Sequence, residues 1–292
     1  MDAATPSASP TAASKAPLHI GALGLGVRDL DRMTAFYRDV IGLAVIERSD
    51  NVARLGAGEV AILELMLKPD AKPDDPHEAG LYHTAFLMPA RADLAQWILH
   101  IAQSRVPIAG ASDHGVSEAF YLDDPEGNGV EVYSDRPRER WQYEGGMVSM
   151  PTVELDIEDI VREATPAVYS GAPAGLRIGH VHLRVGDVAL AEKFYRDALG
   201  LDVTRRRNGA SFMSSGGYHH HVAGNVWHSQ GAGARDQDRT GLSWFTIETD
   251  SASTLDAAHA RLQAAGVVTS ATAHGFEARD PWGTRVRLAK PS

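Results

Sequence analysis

Residues 216–227 read Gly-Gly-Tyr-His-His-His-Val-Ala-Gly-Asn-Val-Trp and set three imidazoles in a row at His219, His220 and His221. Imidazole, with an ordinary pKa near 6.5, can take and return a proton at neutral pH, and it is the commonest metal ligand. Adjacent residues of a strand face opposite ways, so if the triplet is a strand, His220 works on one face while His219 and His221 lie on the other, structural or solvent-facing. The chain has no cysteine, which excludes disulfides and thiolate metal sites. Any metal must therefore be held by histidine or carboxylate, and 13 histidines and 38 acidic residues are on offer.

The elements that must position such groups show a duplicated chain. Residues 18–43, LHIGALGLGVRDLDRMTAFYRDVIGL, align without a gap on residues 176–201, LRIGHVHLRVGDVALAEKFYRDALGL. Each copy opens on an apolar strand pattern. A helix follows, started by Asp29 or Asp187 and carrying Phe36/Tyr37 or Phe194/Tyr195 on its apolar side, and it closes at Gly42 or Gly200. A second pair of units matches as well. GLYHTAFLMP (80–89) parallels GLSWFTIETD (241–250), each leads into a helical stretch, and DPEGNGVEVYS (124–134) parallels DPWGTRVRLAK (280–290). The reading is an α+β chain of four modules, each strand–helix–strands, at 18–68, 80–134, 176–228 and 241–290. They fall into an N-terminal half, 18–134, and a C-terminal half, 176–292, with a linker at 135–175 that carries one helix near VELDIEDIVREA.

Composition narrows the function classes. At 43% hydrophobic and 23% charged, 292 residues suffice for one or two globular cores. A formal charge of −10 gives no support to nucleic-acid or anionic-membrane partners. No apolar run approaches the ~20 residues of a membrane span. The opening 1–17, rich in Ala, Ser, Pro and Thr, lacks the apolar segment of a secretory signal and reads as a disordered tail, so a cytoplasmic enzyme is expected.

Four βαβββ modules, with F-Y-R-D and G-L in the odd ones and D-P-x-G in the even ones, resemble the vicinal oxygen chelate superfamily, which includes glyoxalase I, extradiol ring-cleaving dioxygenases and antibiotic-binding resistance proteins. The resemblance covers nearly all of the chain after the tail and implies two barrels built from the modules. It also implies metal ligands on the first and last strands of a module. Those positions hold His83 and Glu131 in the second module and His180 in the third, against Ala22 in the first and Trp244 and Arg287 in the fourth. One metal site then requires modules two and three to share a barrel, leaving one and four to form a metal-free one. Two histidines and a carboxylate are the facial triad of non-haem Fe(II) oxygenases, with Mn(II) as the other metal such a site takes.

The resemblance assigns further roles. Extradiol dioxygenases carry an acid–base histidine in an H-x-[VI]-A pattern, here His220-His221-Val222-Ala223. Their Y-x-x-D-P-x-G-N-x-x-E pattern is met from Tyr121 to Glu131. Another active-site histidine precedes that tyrosine, and His114 stands nearest, at a shorter spacing. His182 shares a strand face with His180 and is expected to support it. The activity implied is extradiol cleavage of a catechol-type diol by O2 to a muconic semialdehyde-type product, by an enzyme that resembles the catechol-2,3-dioxygenases, with a small aromatic diol and O2 as its partners and self-association as a homo-oligomer. The competing readings are a glyoxalase I-like metal-dependent isomerase, which relies on two glutamates, and a non-enzymatic small-molecule-binding protein, which lacks a full ligand set.

Overall fold

The computed structural model describes residues 11–291. Two eight-stranded sheets dominate it. In the first sheet, strands His19–Val27 and Gly241–Glu248 pair antiparallel at the centre, with the other strands of the first and fourth modules outside them. In the second sheet, Gly80–Leu87 pairs antiparallel with Arg177–Arg184, flanked by the remaining strands of modules two and three. Modules two and three thus share one sheet, as the distribution of ligand residues required. Each half of the chain contributes one module to each sheet.

Local sequence accounts for the repeated helices. The Asp29 carboxylate accepts from the Arg32 N–H at 2.9 Å and opens helix Leu30–Phe36, and Asp187 does the same for Leu190 at 2.8 Å. Each helix continues into a π-helical turn, Tyr37–Ile41 or Lys193–Ala198, in place of a regular end. Gly42 then takes a left-handed φ of 88° and reverses the chain, a conformation that costs a Cβ-bearing residue free energy. Helix Arg91–Gln103 buries Leu94, Trp97, Ile98 and Ile101, the i, i+3, i+4, i+7 stripe of an amphipathic helix, and Ala95 beside them. The linker helix spans only Ile157–Val161, started by Asp156. No helix among the described residues is long and apolar enough to cross a membrane.

The repeated motifs bolt the two sheets together. Tyr37, of F-Y-R-D in the first module, donates its hydroxyl to Asp124, of D-P-E-G in the second, at 2.9 Å. Tyr195 of the third module donates to Asp280 of the fourth, also at 2.9 Å. Both tyrosines and both aspartates are buried. Burial raises each of these carboxyls to about 6, against the hydrogen bonds that favour the charged form. Asp124 also accepts from the backbone of Glu126 and Asn128, so it holds the turn that starts strand Gly129–Asp135.

Residues 11–17 depart from the expected disorder. Ala13 and Ala16 are buried, and the Ala13 carbonyl lies 3.1 Å from Nε2 of His221. Ala13 belongs to the buried apolar cluster that includes Tyr218, beside the histidine-rich turn. Residues 1–10 lie outside the described residues.

The inter-sheet bolt can be tested directly. Tyr37→Phe leaves the buried Asp124 short of one donor and is expected to cost ~1–3 kcal/mol. The change should appear as a lower urea midpoint at unchanged slope. An unaltered midpoint would show that the bond does not hold the modules.

Candidate metal centre

Strand register brings the three expected ligands together. Ala85 pairs with Glu131 on its parallel neighbour and with His180 on its antiparallel neighbour. His83 lies two residues before Ala85 and so projects from the same face. The methyl group of Ala85 leaves the space between its neighbours open. His83 Nε2 stands 3.0 Å from Glu131 Oε2, His180 Nε2 stands 3.2 Å from the same oxygen, and the two nitrogens are 3.3 Å apart. Metal bonds of ~2.0–2.2 Å place ligand atoms ~2.8–3.1 Å apart at right angles and ~3.3–3.6 Å apart in a tetrahedron. The observed triangle lies within that span, so the donor set fits one metal ion held on one face.

The electrostatics favour the ligand forms. Burial lowers His180 to about 4, so its imidazole is neutral at pH 7. Burial pushes the Glu131 carboxyl up, but the His180 and His83 imidazoles outweigh it and hold the group well below the ordinary carboxylate range. A carboxylate only 3% exposed needs a positive partner, since an uncompensated buried charge costs several kcal/mol.

His83 and Glu131 open onto a cavity of about 430 Å³ that His220, Tyr121 and His114 also line. The His220 ring lies against His180, with centroids 4.0 Å apart. Burial, then the neighbouring imidazoles, place His220 well below its ordinary value, so its ring is neutral. Burial and the Glu131 charge raise the Tyr121 phenol well above 10, so it stays protonated. His114 Nε2 is 2.7 Å from the Tyr121 hydroxyl and its Nδ1 is 2.8 Å from the Pro151 carbonyl. With the ring proton on Nδ1 donated to Pro151, the phenol donates to Nε2. The shorter spacing of His114 does not remove it from the cavity.

The triplet itself departs from expectation. His219, His220 and His221 lie in the turn before strand Val222–Asn225, not within a strand. Strict alternation therefore does not apply, and all three rings are buried rather than solvent-facing. Two glycines with left-handed φ, Gly216 at 65° and Gly217 at 68°, curl the chain just before them. His182, expected to support His180, instead lines the cavity and lies 3.0 Å from the Asn225 amide through Nε2. Sequence reasoning also missed several wall residues. Met150 and Thr152 come from the linker, and Arg207, Phe212 and Trp227 come from the third module. Trp227 stood in the quoted histidine stretch, but nothing in the linker distinguished Met150 or Thr152.

A family model described as the Glyoxalase/Bleomycin resistance protein/Dioxygenase superfamily matches residues 19–132 and 177–288. The chain belongs to this superfamily. Among curated relatives it is 39% identical to a catechol-2,3-dioxygenase of Bacillus subtilis over 269 residues, 90% of this chain and 94% of that protein. It is 32% identical to a biphenyl-2,3-diol 1,2-dioxygenase of Rhodococcus globerulus over 132 residues, 42% of this chain and 67% of that protein. Its fold is similar to that of glyoxalase I from Zea mays, with a TM-score of 0.58 at 16% identity, covering 94% of this chain and 92% of that one.

The superfamily's duplicated architecture gives the site an internal control. In the first sheet, Trp244 and Arg287 occupy the positions of His83 and Glu131. The Arg287 guanidinium lies 3.9 Å over the centroid of the Trp244 ring, and its Nε donates to Glu277 at 3.1 Å. A cation stacked on an aromatic face and paired with a carboxylate fills this place without a metal.

The role of the open space at Ala85 gives a prediction. Ala85→Leu should push side-chain atoms between His180 and Glu131 and lower bound metal per chain. Overpacking of this kind costs ~1–3 kcal/mol and leaves the fold in place. Metal analysis beside circular dichroism checks it, and full metal content in the variant would contradict the geometry described.

Proposed function

We propose that this protein is an extradiol ring-cleaving dioxygenase, which opens a catechol-type diol with O2 to a muconic semialdehyde-type product. The observation that carries the reading is the triangle of His83, Glu131 and His180 with the neutral imidazole of His220 beside it in one largely apolar cavity. The similarity to a catechol-2,3-dioxygenase over 90% of the chain supports it. Held by these three residues, Fe(II) would supply the redox chemistry that O2 requires, and Mn(II) suits the same donors. Two neutral imidazoles and one carboxylate leave a divalent ion with one net positive charge, which favours an anionic catecholate.

The chain's own residues do the rest. His220 takes a proton from a diol hydroxyl and returns it when the ring opens. The Tyr121 oxygen, its proton directed to His114, has lone pairs for a substrate hydroxyl. Val116, Met150, Phe212 and Trp227 enclose the aromatic ring and exclude water, and Arg207 faces the same space as a cation.

Anaerobic loading with Fe(II), followed by catechol and air, tests the reading through the absorbance of the yellow ring-opened product and O2 uptake. One O2 consumed per diol is expected. A chain that binds Fe(II) yet turns over no catechol-type diol would overturn the proposal. Two variants separate the roles. His83→Ala should lose metal and activity together, whereas His220→Asn should keep its metal and lose roughly 10²–10⁴-fold in kcat.

A further inference from the structure

Two hydrogen-bonded chains start from one carboxylate, Asp135, at the end of the strand that carries Glu131. Its Oδ1 accepts from the Tyr218 hydroxyl at 3.0 Å and lies 3.0 Å from His219 Nε2. Tyr218 lies 2.8 Å from the Tyr133 hydroxyl, which lies 3.4 Å from His180 Nδ1. On the other branch, His219 Nδ1 lies 2.7 Å from His220 Nδ1. Tyr133, Tyr218, His180, His219 and His220 are all buried.

An ionised carboxylate only accepts, so the proton direction along both branches follows from it. Tyr218 spends its one proton on Asp135, so Tyr133 must donate to Tyr218, and the Tyr133 oxygen accepts from His180 Nδ1–H. His180 then presents a bare Nε2 to Glu131 and His83. On the other branch, His219 donates from Nε2, its bare Nδ1 accepts, and His220 must carry its proton on Nδ1. Among the described residues nothing hydrogen-bonds His220 Nε2, which is left bare in a residue that lines the cavity. Gly179 belongs to the same device, because a Cβ there would lie 1.8 Å from the Tyr133 hydroxyl.

We infer that Asp135 is a positioning residue that sets two tautomers at once: it holds His180 in the metal-ligating form through Tyr218 and Tyr133, and His220 in the proton-accepting form through His219. A buried carboxylate fixing one imidazole tautomer is known to matter greatly for general-base catalysis, and partners behind a ligating histidine govern metal affinity. The role given to His220 rests on the dioxygenase reading, while the proton positions do not.

The first test uses ¹⁵N spectra of the zinc-loaded full chain with labelled histidine, since zinc keeps the site diamagnetic. His219 is expected as the Nε2–H tautomer and His220 as Nδ1–H. A proton on His220 Nε2 would overturn the inference. Tyr218→Phe cuts the other branch and should weaken zinc binding ~10–100-fold in a competition titration, and unchanged affinity would remove that branch. With Fe(II) and catechol, His219→Leu should lose at least ~10-fold in kcat, part of what general acid–base catalysis supplies, at unchanged KM and iron content. His219→Gln should recover most of the loss, because its amide can donate to Asp135 and accept from His220. A His219→Leu enzyme with normal kcat, or a Gln variant as slow as the Leu one, would overturn the positioning role. If the parent chain cleaves no diol, the functional reading falls, and the spectra and zinc titration still decide the proton arrangement.

Discussion

The antiparallel register between Gly80–Leu87 and Arg177–Arg184 is the constraint on which the candidate metal centre depends. It sets His180 opposite Ala85, and the parallel neighbour sets Glu131 opposite the same residue. Strand side chains alternate with a period of two, so a slip of one residue in either pairing would turn a ligand to the other face. His83, Glu131 and His180 come from three strands, and their triangle closes only because ladder hydrogen bonds fix all three.

The register is in turn held by contacts outside the sheet. Tyr37 and Tyr195 each tie a helix of one sheet to a turn of the other. Those turns start the strands Gly129–Asp135 and Arg285–Ala289, so each sheet positions the outgoing strand of its partner. The duplicated motifs thus serve assembly of the sheets, while the candidate site is built from residues that differ between the copies. Where one copy keeps His83 and Glu131, the other has Trp244 stacked under Arg287. The same backbone geometry supports a buried charge cluster in one sheet and a cation–aromatic stack in the other.

Burial gives the centre its chemical character. Away from water, burial drives His180 and His220 to their neutral forms, and a neutral imidazole is the form that binds a metal. The His180 and His83 side chains beside Glu131 hold its carboxyl well below the ordinary range against the effect of burial, and a metal ion would take the place between the three groups. Polar groups in such a place must all be satisfied, since an unmet buried donor or acceptor costs ~1–3 kcal/mol. The chains that end on Asp135 meet that demand for the Tyr133 and Tyr218 hydroxyls and for both nitrogens of His219.

Much of this was legible in the sequence. The duplication and the helix starts at Asp29 and Asp187 are local patterns, encoded by periodicity and capping chemistry. The loss of His and Glu from modules one and four, set against their retention in two and three, was enough to imply which modules share a sheet. The turn conformation of His219–His221 was not legible, because adjacent polar residues carry no periodicity and the curl depends on where the neighbouring strands end. The packing of residues 11–17, the linker's contribution of Met150 and Thr152, and the link from Asp135 to both histidines were also hidden. His83 and His180 stand 97 residues apart in the chain, and His219 and Asp135 stand 84 apart. Sequence determined which groups were available and what local structure carried them. Distances between groups so remote in the chain were decided by strand register and inter-sheet packing, because those are summed over many weak contacts that no single stretch encodes.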